Sequence, residues 1–166
     1  MPDGQVLISG QNHDNSPWRI RSFNYGQEIM RWEYNLPEQP FRFASCHEEN
    51  CLLFTSYKSN RIYKFNAENG DSEIYMKCVD FKPWCIDYAA PNNIWVANIL
   101  KSPIEYRCII TTELGLPYVS DKTVNSTLRT IWDMCYVSKD ITKAIDLIVG
   151  LSYEERKMVA VDPVLD

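Results

Sequence analysis

Short apolar runs and period-two alternation fill the first two thirds of the chain. Trp84, Ile86 and Tyr88 alternate with Cys85 and Asp87, the pattern of a strand with one face buried. Cys51-Leu52-Leu53-Phe54 and Ile94-Trp95-Val96-Ala97 are unbroken apolar runs, as expected of strands covered on both faces. Strands are thereby predicted at 5–9, 18–25, 28–34, 41–45, 51–56, 61–66, 73–79, 84–88, 94–98 and 105–110. Turn-forming residues separate them: Glu48-Glu49-Asn50, Lys58-Ser59-Asn60, Asn69-Gly70 and Pro91-Asn92-Asn93. Asn69-Gly70 is the clearest, because both residue types accept positive φ. Pro37, Pro40, Pro83, Pro91 and Pro103 read as strand boundaries.

The pattern repeats. Arg19-Ile20, Arg61-Ile62 and Pro103-Ile104 are 42 residues apart, and the same offset carries Phe23 to Phe65 and Leu53-Phe54 to Trp95-Val96. An offset of 45 aligns Glu28-Ile29-Met30-Arg31 with Glu73-Ile74-Tyr75-Met76. A period of about 40–45 residues holding four short strands is the signature of a WD-type propeller blade. The strands group into two four-stranded blades, 28–66 and 73–111, preceded by a half blade at 5–25.

After Thr111 the pattern changes. Leu128, Ile131, Trp132 and Cys135 fall on helical spacing, as do Ile141, Ala144, Ile145 and Ile148. Ser152-Tyr153-Glu154-Glu155 is a capping-box sequence. The expected fold class is therefore all-β: a partial WD-type β-propeller over 1–112, with a loop and a short α-helical C-terminal tail over 113–166. Two and a half blades do not close a ring of four to eight, so self-association through the open sheet edges is one expected consequence.

Charge narrows the function classes. Lys and Arg total 17 against 22 Asp and Glu, a net charge of −5, which argues against a broad basic nucleic-acid footprint. No run of 18 apolar residues predicts a membrane-spanning helix. Met1-Pro2-Asp3-Gly4-Gln5 has neither the basic nor the apolar segment of a secretory signal, so secretion is not expected. Of the six cysteines (46, 51, 78, 85, 108 and 135), all are then expected as free thiols.

Candidate chemistry is sparse. Cys46-His47 with Cys51 is the one cluster resembling a metal site, but its spacing fits no standard zinc pattern. Neighbouring strand residues point to opposite faces, which separates Cys46 from His47 as a catalytic couple. His13 is the second of only two histidines. Glu48, Glu49 and Asp87 supply carboxylates without a fixed separation. The sequon Asn125-Ser126-Thr127 has a role only in an exported chain. Arg19, Arg21, Arg31 and Arg42 lie near aromatic residues and could stack bases, whereas packing between sheets is the stronger expectation for the aromatics. An axial metal in a six-bladed hydrolase-like fragment would need acidic and asparagine ligands; Asn24, Asn66 and Asn98 recur at similar places, but Asp or Glu partners do not. No catalytic, cofactor or metal residues are assigned, and no cofactor is expected.

Arg42-Phe43-Ala44-Ser45-Cys46-His47-Glu48-Glu49-Asn50-Cys51, the run to Phe65, Pro83-Trp84-Cys85-Ile86-Asp87-Tyr88 and Ile94-Trp95-Val96 resemble the last blades of one WD-repeat family. That family is the Wuho-like non-catalytic subunit of the 7-methylguanosine tRNA methyltransferase. Leu7-Ile8-Ser9-Gly10, Ile20-Arg21-Ser22-Phe23-Asn24-Tyr25 and Thr127-Leu128-Arg129-Thr130-Ile131-Trp132 extend the likeness over roughly residues 5–135. The resemblance implies a nuclear scaffold that performs no chemistry, holds an S-adenosylmethionine-dependent catalytic subunit and meets tRNA only indirectly. The earlier blades, which carry that family's main charged contacts, have no counterpart here, nor has the basic tail beyond Arg156-Lys157. The alternative is a generic protein-interaction propeller fragment.

Overall fold

The computed structural model describes residues 5–26, 29–45, 50–56, 58–90, 93–138, 140 and 145–163. The described strands are β1 (Gln5–Gly10), β2 (Arg19–Asn24), β3 (Met30–Asn35), β4 (Pro40–Ser45), β5 (Cys51–Ser56), β6 (Arg61–Asn66) and β7 (Ser72–Lys77). They continue with β8 (Pro83–Ala90), β9 (Asn93–Asn98), β10 (Glu105–Thr111), β11 (Pro117–Asn125), β12 (Asp133–Val137), β13 (Leu147–Ser152) and β14 (Lys157–Val161). They form four antiparallel meanders in chain order: sheet I (β1–β3), sheet II (β4–β7), sheet III (β8–β11) and sheet IV (β12–β14). The chain is all-β in its described parts, as the alternation requires.

The grouping differs from the expected units by one strand. β3 pairs with β2 in sheet I, and β7 closes sheet II against β6, so the sheets run 5–35, 40–77, 83–125 and 133–161. The units expected at 28–66 and 73–111 each start one strand too early. The chain crosses between sheets at Leu36–Gln39 and Cys78–Lys82, and each crossing ends on a proline that opens the next sheet, Pro40 or Pro83. A proline suits a first strand residue because it has no N–H to offer a ladder.

The helical tail is also corrected. Of the described residues in 113–163 only Asp140 is helical; residues 141–144 of one expected helix lie outside the described residues. Leu128 and Ile131 lie in the irregular segment before β12 and still reach the core. Ser152 does accept the Glu155 N–H at 3.2 Å, as an N-cap would. The Glu155 carboxylate, however, accepts the N–H groups of Arg129 at 2.6 Å and Thr130 at 2.9 Å. With Arg156 at φ 51°, the segment closes the β13–β14 hairpin instead of starting a helix.

Each adjacent pair of sheets encloses its own core. Ile20, Leu52, Phe54, Tyr63 and Phe65 fill the space between sheets I and II. Leu53, Ile62, Phe81, Ile94, Val96 and Ile109 fill that between II and III. Trp95, Tyr106, Leu128, Met134 and Ile148 fill that between III and IV. Alternation explains the unbroken runs: Leu52 and Phe54 face sheet I while Leu53 faces sheet III, and all of β5 is buried. Full burial of one such side chain stabilises by about 1.5–3 kcal/mol. The first strands of sheets II, III and IV are neighbours, β4 against β8 and β8 against β12.

The turns behave as their residues dictate. Asn50, Asn60 and Gly70 take positive φ of 57°, 52° and 81°. Gly70 is doubly constrained, since a Cβ there would lie 2.3 Å from the Tyr34 ring. Cys78, Cys85, Cys108 and Cys135 are free thiols. Cys51 is disulfide-bonded, with its partner outside the described residues, which corrects the expectation of six free thiols. Among the described residues no helix is long and apolar enough to cross a membrane.

Candidate functional site

The first strands share a pattern at equivalent places: Phe41-Arg42-Phe43-Ala44, Trp84-Cys85-Ile86-Asp87 and Trp132-Asp133-Met134-Cys135. Because these strands adjoin, their side chains meet. The Arg42 guanidinium donates from Nε to Asp133 Oδ1 at 3.3 Å and to the Trp132 carbonyl at 2.9 Å. It also sits 4.7 Å from the Phe41 ring centroid and 5.6 Å from that of Trp132, within cation–π range. Cys85 donates to the same Trp132 carbonyl at 3.4 Å. Thr55 Oγ1 accepts the Arg42 N–H at 3.3 Å and donates to the Trp84 carbonyl at 2.7 Å. Arg42 thus ties sheet II to sheet IV.

Asp87 completes the cluster. Its two oxygens accept the N–H of Tyr136 at 2.7 Å, across on β12, and of Tyr88 at 2.9 Å. Burial pushes its carboxyl above the usual range, these two N–H groups pull it back, and the Asp133 charge pushes it up again. Burial also pushes the Cys78 and Cys85 thiols up to about 12. Both are held as thiols at neutral pH and are poor nucleophiles.

A second repeated device lies at the end of the second strand in sheets II, III and IV. Ser56, Asn98 and Ser152 are buried there. Ser56 bonds to Glu38, ahead of β4. Asn98 Oδ1 accepts the Lys82 N–H, ahead of β8, at 3.1 Å. Ser152 meets Thr130, ahead of β12, at 2.6 Å. Each also accepts from the turn that follows it: from Ser59 N at 3.4 Å, Leu100 N at 3.1 Å and Glu155 N at 3.2 Å. One buried polar side chain therefore fixes both the approach to a sheet and its next turn. Sequence reasoning missed this device; its trace was a polar residue ending each of the apolar strands.

The sequence candidates are not brought together. Cys46, His47, Glu48 and Glu49 lie outside the described residues, and the disulfide at Cys51 removes its thiolate as a ligand. Asn66 lies beside Cys51, whereas Asn98 lies beside Glu105, the first residue of β10. Asn98 is thus at the opposite end of its sheet from the Asn24 and Asn66 positions, which breaks the expected ring of asparagines. Among the described residues no group of three His, Cys, Asp or Glu could hold a metal ion. His13 is exposed in the β1–β2 loop, its carbonyl accepting Ser16 N–H at 3.0 Å.

Arg19, Arg21 and Arg42 are engaged within the fold. Glu33 binds Arg19 at 2.6 Å and also pairs with Arg21. Arg31 is exposed on β3. The aromatics Trp32, Tyr34, Phe43, Phe54, Tyr63 and Phe65 pack between sheets I and II, as the packing expectation has it. A cleft of about 480 Å³ at this junction is lined by Gln11, Trp18, Glu38 and Lys58 among others. Glu38 in it already accepts Tyr63 at 2.8 Å and Arg61 at 3.2 Å besides Ser56. Comparison with protein-family models and with curated proteins returned no match.

Proposed function

We propose that the chain is a non-catalytic scaffold subunit, or a truncated paralogue of one, supporting a tRNA guanine 7-methyltransferase. In this reading the four sheets are consecutive propeller blades in the nucleus, the partner is the catalytic subunit, and tRNA is met indirectly. One observation carries the scaffold reading: the first strands of three successive sheets adjoin, and the polar groups on and beside them, Arg42, Thr55, Asp87 and Asp133, are spent on one another and on backbone. Such a set builds a rigid frame and leaves recognition to surfaces. The likeness of residues 5–135 to the Wuho-like subunits supplies the choice of partner.

Affinity purification of the tagged chain, followed by identification of what it retains, tests this. Recovery of an S-adenosylmethionine-dependent methyltransferase chain is expected. Methyl transfer to tRNA by the purified chain alone would overturn the non-catalytic role. Absence of any methyltransferase from the recovered proteins would overturn the partner. Because specific interfaces usually bury about 1,200–2,000 Å², activation of the added catalytic subunit is expected to be weak.

A further inference from the structure

Equivalent strands β1, β5, β9 and β13 each carry an apolar run, including Val6-Leu7-Ile8 in β1 and Leu147-Ile148-Val149 in β13. In β5 and β9 both sides of the run are covered by neighbouring sheets. In β1 only Leu7 packs inward, against sheet II, while Val6 and Ile8 are 39% and 50% exposed on the other face. The register continues that face through Phe23 to Met30. In β13 Ile148 is buried against sheet III, while Leu151 is 44% exposed beside Met158 at 73%. Cys135, Val149 and Ala160 align across the same bare face of sheet IV.

The two bare faces are the two unlike halves of one kind of junction. Within the chain, every junction sets the following face of one sheet against the preceding face of the next. Sheet I shows a bare preceding face and sheet IV a bare following face. Preceding faces also carry an arginine–glutamate pair: Arg61 of sheet II with Glu38 of the crossing before it, and Arg107 with Glu105 in sheet III. Arg21 with Glu33 repeats it on the bare face of sheet I. This face is thus built like those that a sheet covers, and the chain itself contains the matching cover.

We infer that a second copy of the chain occupies both faces, sheet IV of each copy lying on sheet I of the other, so that eight sheets close into a ring. Eight is within the range of closed radial sheets, and a head-to-tail contact that closes gives a finite assembly. A three-stranded face of six-residue strands, at about 4.8 Å between strands and 3.3 Å per residue, covers roughly 290 Å² on each copy. One junction then totals about 600 Å², short of the roughly 1,000 Å² that a specific interface needs, and two total about 1,100 Å², which clears it. Closure is therefore what stabilises the pair. The contact uses faces, not open edges, and does not rest on the methyltransferase reading.

Analytical ultracentrifugation of the whole chain across the micromolar range tests the inference. A monomer–dimer equilibrium without larger species is expected. Ile8→Asp, on sheet I, and Leu151→Asp, on sheet IV, should each weaken it at least about tenfold, with circular dichroism reporting the fold. Mixing the two variants restores one native junction, so a weak 1:1 pair should return. Met158→Lys, at a more exposed position, serves if Leu151→Asp does not fold. A wild-type monomer throughout, open polymers, or sensitivity to only one of the two faces would overturn the ring.

Discussion

Sheets III and IV are made of the same strand types yet live in different surroundings. β9 is walled by the sheet II junction on one side and the sheet IV junction on the other, with Ile94, Val96 and Ala97 fully buried. β13 has the same apolar run but a cover on one side only, and its burial alternates. Sheet I differs from sheet II in the same way. An apolar run thus announces that a strand is built to be covered twice, whether or not both covers are present within the chain. The stability of the molecule concentrates in the two central sheets.

Substitutions can break this contrast. Phe54→Ala, in the strand covered on both faces, should cost about 3–5 kcal/mol, while Met158→Ala on the bare face should stay within about 0.5 kcal/mol. Urea unfolding of both variants at low protein concentration measures the difference, and equal losses would erase it. Glycines sharpen it. A Cβ on Gly150 would lie 2.1 Å from the Tyr106 hydroxyl oxygen and 3.1 Å from Leu128, inside the junction of sheets III and IV. Gly150→Ala should therefore cost about 1–3 kcal/mol. At Gly10 nothing lies within 4 Å, so Gly10→Ala should leave the melting temperature nearly unchanged.

The buried acceptors come next. Asn98→Ala removes the acceptor of the Lys82 and Leu100 N–H groups and should cost about 1–3 kcal/mol. Its control is Asn69→Ala in an exposed turn, expected to cost only a few tenths of a kcal/mol. A smaller effect is carried by pH. Burial alone would push the Glu38 carboxyl up, but the hydroxyls of Ser56, Ser59 and Tyr63 and the Arg61 charge hold it below the usual range. Glu105 is likewise lowered by Arg107 and Asn98 against its burial. Groups lowered on folding contribute stability above their unfolded pKa and lose it as pH falls through the folded value. Asp87, raised by burial, has the opposite sign: its contribution weakens as pH rises from the ordinary carboxylate value through the raised one. Melting temperature should therefore fall on acidification below the usual carboxylate range, and Glu105→Gln should flatten that fall.

Much of this architecture was legible. Period-two alternation and turn chemistry located the strands through Ile110, because a residue such as Asn60 or Gly70 allows a reversal that most others resist. Sheet membership was not legible from alternation, since β3 and β7 look alike whichever neighbour they pair with. The proline-closed crossings at Pro40 and Pro83 were the available signal. In the tail, Leu128, Ile131 and Cys135 satisfy a helical spacing by accident of a bend followed by a strand. Ser152 and Glu155 have capping chemistry, which serves a hairpin as readily as a helix. The Arg42–Asp133 pair joins residues in sheets II and IV, and no local pattern announces so distant a contact.

Hydrogen exchange of β1, β5, β9 and β13, read at low and at high protein concentration, tests the central claim that the outer sheets are built for a second cover. Amides of β5 and β9 should be the most protected and indifferent to concentration, because both their faces are covered within the chain. Amides of β1 and β13 should exchange faster when dilute and slow together as concentration rises. Protection of β1 and β13 that equals that of β9 when dilute, or that ignores concentration, would contradict the account.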